Sequence, residues 1–107
     1  MSTKQPKIIV SKDQNYQTIN LGGAIGGYRP GFFEMIIYSE ELEPEETMKT
    51  GSPTIKRVFK CRIVADPIQA KIFYTWLKNQ IEGYEKTFGE IKVPKGAKPP
   101  SPTSMLV

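Results

Sequence analysis

Residues 54–89, TIKRVFKCRIVADPIQAKIFYTWLKNQIEGYEKTFG, carry a strand, a cap and a helix in succession, and their reading decides the fold. From Thr54 to Ala65 the side chains alternate. Ile55, Phe59, Cys61, Ile63 and Ala65 fall on one face, and Lys56, Val58, Lys60, Arg62 and Val64 on the other. That period of two is a strand. Arg57 alone interrupts the apolar row and is expected at its rim. Asp66 is placed to cap a helix, Pro67 suits its first position, and Gln69 completes a capping box. Ile68, Ile72, Phe73, Trp76, Leu77, Ile81, Tyr84 and Phe88 then recur at helical spacing as one apolar stripe, opposite Lys71, Lys78, Glu82, Glu85 and Lys86. Gly89 is a natural stop, and Gly83 inside the helix lowers its propensity. Twenty-odd helical residues span about 33 Å, comparable to a ten-residue strand. The helix is therefore expected to lie along a small sheet and bury its stripe there.

Upstream, Phe32 to Ser39 reads as a second strand, apolar enough on both sides to be covered on both. Tyr16 to Ile25 alternates and reads as a first strand, with Ile19 and Leu21 expected on the helix side. Gly26 to Gly31 reads as the turn between them. Residues 40–53 read as a long acidic loop closed by Gly51-Ser52-Pro53, and Lys7 to Ser11 as a short strand or docking arm. Pro94, Pro99, Pro100 and Pro102 exclude regular structure from the C-terminal stretch. The expectation is an α+β fold: a meander of three or four antiparallel strands with one long C-terminal helix packed on one face. It occupies residues 15–91, between a basic arm (1–14) and a Pro/Lys-rich tail (92–107).

The 107 residues suffice for one domain. The net charge of +4 hints at an acidic partner. However, Lys4, Lys7 and Lys12 lie in the arm and Lys92, Lys95 and Lys98 in the tail, which leaves the middle of the chain close to neutral. The chain has no histidine and one cysteine, Cys61. It therefore lacks the commonest general base and metal ligand, and it can form neither an intramolecular disulfide nor a cysteine-based zinc site. No stretch approaches the ~20 apolar residues of a membrane span, and the polar N-terminus lacks the apolar core of a signal peptide. A cytoplasmic protein with no membrane partner is expected.

The run Pro67, Ala70-Lys71, Leu77, Ile81, Tyr84-Glu85, Phe88-Gly89 and Ile91 resembles the C-terminal signature of a prokaryotic group, the domain-of-unknown-function family 3467. Arg62-Ile63-Val64 and the strand from Phe32 to Tyr38 fit the same plan, and Glu34 is the nearest match to the acidic residue usual in its second strand. The resemblance covers about residues 16–91. It implies a strand-strand-strand-helix unit and no known activity. More remotely, that layout is similar to the SecB-like export chaperones, oligomers that hold unfolded chains.

Catalytic chemistry is not expected. Cys61 falls on the apolar side of a strand, where a thiol is packing. Glu40, Glu41, Glu43, Glu45 and Glu46 lack the spacing of a calcium loop. Gly22-Gly23 and Gly26-Gly27 are not followed by the Lys and Ser or Thr of a phosphate loop; glycines in a strand mark a bulge or a close backbone approach. No enzyme, cofactor or metal site is expected. The informative surface is the sheet face away from the helix, with Tyr16, Phe32, Glu34, Ile36, Tyr38, Lys56, Val58, Lys60, Arg62 and Val64. Packed on a symmetry mate, it would make a non-catalytic homo-oligomer, dimer or higher, acting as an assembly module or holding extended client segments. The alternative is a single-stranded nucleic-acid platform of aromatic and basic side chains. Met105, Leu106 and Val107 end the tail and are candidates for docking to a protein partner.

Overall fold

The computed structural model describes residues 5–96. Its elements are β1 (Gly23–Arg29), β2 (Phe32–Leu42), α1 (Pro44–Thr50), β3 (Ile55–Ala65) and α2 (Pro67–Phe88). The three strands form one antiparallel sheet in the order β1-β2-β3. The α+β class and the three-stranded meander stand as expected.

The first strand starts later than its alternation suggests. Gly27, Tyr28 and Arg29 pair with Glu34, Phe33 and Phe32 and so belong to β1, leaving Pro30 and Gly31 as the whole turn. Gly31 takes φ +89°, which a Pro-Gly pair supplies at little steric cost. Residues 16–22 stay outside the sheet, apart from the Gly22 amide donating to the Tyr38 carbonyl. Ile19 and Leu21 therefore do not join the helix side. Lys7 to Ser11 forms no strand; Ile8, Ile9 and Val10 are exposed.

The acidic loop is also corrected. β2 runs on to Leu42, and α1 follows. Pro44 opens α1, Glu45 and Glu46 lie in its first turn, Lys49 lies in its last, and Gly51 caps it at φ +73°. Each choice suits the helix dipole or the left-handed end. The Thr47 hydroxyl donates to the Glu43 carbonyl (2.6 Å) and accepts from the Thr54 amide (3.0 Å), which ties α1 to the start of β3.

A β-bulge between β2 and β3 changes which residues share a face. Ile37 faces Cys61, but Tyr38 faces Phe59, so Lys60 is the extra residue. One inserted residue reverses the alternation beyond it. Phe59 and Arg57 therefore join the Arg62 side, while Val58 and Lys56 join the Cys61 side.

The long helix has its expected cap, the Asp66 carboxylate accepting from the Gln69 amide at 2.8 Å. It does not lie across its own sheet. Ala70 and Phe73, near its start, border a cleft with Ala24, Tyr28, Phe33 and Met35, yet no residue of α2 is buried. The connection explains this. Asp66 alone joins β3 to α2, in an extended conformation and followed by Pro67. Strand-to-helix links usually have two to six residues, and this one is shorter, which leaves little chain to turn the helix back along β3. Tyr38 is the one apolar side chain that is buried among the described residues.

Candidate functional site

The register divides the sheet into two unlike faces. On the first, Phe32, Glu34, Ile36 and Tyr38 of β2 lie beside Arg57, Phe59, Arg62 and Val64 of β3. Glu34 and Tyr38 are both buried here, at 8% exposure each. Gly27 and Gly23 of β1 are their opposite numbers, and a Cβ on Gly23 would run into the Tyr38 ring. Gly23 thus makes room for the Tyr38 ring at the centre. Arg62 Nε donates to the Glu34 carboxylate. The Arg57 guanidinium sits 4.9 Å above the Tyr38 ring and its Nε donates to Glu40 at 3.2 Å. Phe59 flanks Tyr38, with ring centres 6.4 Å apart. Arg57 and Arg62 are therefore engaged by acidic or aromatic groups of the same chain, while Arg29, opposite Phe32 on this face, donates to the Tyr28 carbonyl at 2.8 Å.

The second face carries Ala24 and Tyr28 of β1, Phe33, Met35 and Ile37 of β2, and Val58, Cys61, Ile63 and Ala65 of β3. None of these side chains is buried, and Phe33 and Ile63 are exposed. Cys61 lies mid-strand opposite Ile37, half-buried and without a disulfide. The face is apolar across all three strands, with Lys56 and Glu41 paired near one end.

The α2 stripe is the third surface. Ile72, Phe73, Trp76, Leu77, Ile81, Tyr84 and Phe88 are all exposed. The rings order themselves along the helix, Phe73 stacking on Trp76 at 5.9 Å and Tyr84 against Phe88 at 4.9 Å. At the end of the helix the Glu85 carboxylate accepts from the Ile91 amide (2.9 Å), the Gly89 amide donates to the Glu85 carbonyl, and Gly89 takes φ +106°. The Tyr-Glu-x-x-Phe-Gly motif is thus a helix terminator in physical terms.

The residues expected on one outer surface are divided accordingly. Phe32, Glu34, Ile36, Tyr38, Arg62 and Val64 share a face. Lys56 and Val58 lie on the opposite one, and Lys60 sits at the bulge. Tyr16 is in the segment before β1, its ring under the Lys12 ammonium at 5.1 Å. Met105, Leu106 and Val107 lie outside the described residues. Arg57 and Phe59 are the members that the alternation hides. Among the described residues no three acidic or thiol side chains come together to hold a metal ion, and no helix is long and apolar enough to cross a membrane.

The model of a family of proteins of unknown function, DUF3467, matches residues 2–93. This chain belongs to DUF3467. The match takes in the segment before β1 as well as every element of the fold, so the DUF3467 unit is wider than residues 16–91. No curated protein and no solved structure matches the chain.

Proposed function

We propose that this DUF3467 chain is a non-catalytic subunit that associates with copies of itself and serves as a protein-interaction or assembly module, with extended polypeptide segments as its clients. One observation carries this reading: the apolar sheet face and the apolar stripe of α2 are uncovered at the same time. Fully burying a large apolar side chain is worth about 1.5–3 kcal/mol. Covering the seven half-exposed side chains of the stripe is then worth on the order of 5–10 kcal/mol, which is as much as the net stability of an ordinary domain. Contiguous apolar surface on this scale marks an interaction site.

A client would add to the sheet edge. β3 is an 11-residue edge strand, and among the described residues no strand pairs with its outer side. Lys56, Lys60 and Arg62 along it, and the bulge at Lys60, guard against indiscriminate edge pairing while leaving the backbone open to a selected extended segment. Sedimentation of the full chain over a range of concentrations tests the reading. A dimer or larger species at micromolar concentration is expected, and a single-chain mass throughout would overturn it. Tight binding of a labelled single-stranded oligonucleotide at physiological salt, lost in Arg57→Glu/Arg62→Glu, would move the assignment to the nucleic-acid alternative.

A further inference from the structure

We infer that the partner on the apolar face is a second copy held by helix exchange: α2 of each chain lies across the Phe33-Met35-Ile37-Cys61-Ile63 face of the other. This rests on the self-association reading and goes further, since it names the contact. Each chain carries one uncovered apolar sheet face and one uncovered apolar helix, in equal number and of matching length. The stripe from Ile72 to Phe88 spans about 25 Å, and the apolar part of β3 from Val58 to Ala65 about 26 Å.

Within one chain the two surfaces meet only at the first turns of α2. Asp66 is the whole link between them, and it is held as the cap of α2. Its carboxylate accepts from the Gln69 amide and its carbonyl from the Ala70 amide, at 2.8 and 2.9 Å. Other pairings of copies leave surface wet. Helix against helix would cover the stripes and strand the sheet faces; face against face would do the reverse. Reciprocal exchange about a two-fold axis covers all four surfaces with one repeated contact.

The area is sufficient. Phe73, Trp76, Leu77, Ile81, Tyr84 and Phe88 are each between 41% and 74% exposed. If each leaves on the order of 100 Å² wet, the two helices alone contribute roughly 1,200 Å². The sheet faces beneath them carry the total well into the range of about 1,200–2,000 Å² typical of a stable dimer.

Cys61, near the middle of the apolar face, is a built-in reporter. Three variants carry the thiol on successive turns of α2 in place of Cys61: Cys61→Ser/Phe73→Cys, Cys61→Ser/Leu77→Cys and Cys61→Ser/Ile81→Cys. Each is refolded with an equal amount of the unaltered chain and oxidised mildly, so that any disulfide between residue 61 and an α2 position must join two chains. The inference expects such a disulfide, located by peptide mapping, for at least one position, with circular dichroism confirming that each variant is folded. Folded dimers in which none of the three positions links to Cys61 would overturn the exchange while leaving self-association standing. So would a link between two α2 thiols in preference to the 61–α2 link. A single-chain mass for the unaltered protein would overturn both.

Discussion

The two faces of the sheet solve the same problem in opposite ways. On one, the centre is closed from within. Glu34 and Tyr38 are buried beneath side chains of the neighbouring strand, and Gly23 of β1 leaves space for the Tyr38 ring. On the other, a row of apolar side chains from all three strands meets only the first turns of α2. Polar groups can be paired from the neighbouring strand, even two residues out of register, because an arginine is long enough to reach over its neighbours. An apolar face has no such recourse. It needs a second layer, and the one-residue hinge at Asp66 sends that layer elsewhere.

Damage to the open surfaces should act on association, and damage to the paired face on the stability of each folded unit. The largest effect is expected from Leu77→Asp, which puts a charge into the middle of the stripe. It should weaken self-association by roughly 100-fold or more, read by sedimentation, because a carboxylate without a partner does not desolvate. Arg62→Met comes next. It leaves the Glu34 carboxylate buried without its partner and should cost about 1–3 kcal/mol in urea denaturation, given that Arg62 itself is largely exposed. Adding Glu34→Leu should restore part of that loss. Gly23→Ala crowds the Tyr38 ring and should cost about 1–2 kcal/mol by the same measurement. Asp66→Ala removes only the cap of α2 and should cost about 1 kcal/mol. If Leu77→Asp lowered stability with no change in association, or Arg62→Met did the reverse, the division between the faces would fail.

Much of the architecture is legible in the residues, and its limits are instructive. The helix announces itself because Asp66, Pro67, Gln69 and Gly89 each act within one turn of chain, where local chemistry decides. β3 is equally plain as a strand, yet its faces are not. Phe59 packs as well on either side, so the alternation runs through the bulge at Lys60 without a visible break. Arg57 is the sign of it: a charge that looks misplaced on an apolar row is correctly placed beside Glu40 and Tyr38 once the register has shifted. In the same way Pro44 and Gly51 bracket α1 with ordinary helix signals, which the density of acidic residues between them obscures. The glycines of β1 resemble a turn in isolation and make sense only opposite Glu34 and Tyr38. What periodicity cannot carry is which chain supplies the cover for an apolar stripe; length and pattern are the same in either case. In the proposed exchange, the short link at Asp66 makes that choice.

Trp76, the only tryptophan, lies on the α2 stripe and reports directly on whether that stripe is dry. Its fluorescence should be that of an apolar surrounding in concentrated native protein and shift toward the emission of a hydrated indole on dilution, while each sheet stays folded until association is lost. Emission typical of a water-exposed indole at every concentration, from a natively folded chain, would contradict the claim that one copy is an incomplete structure.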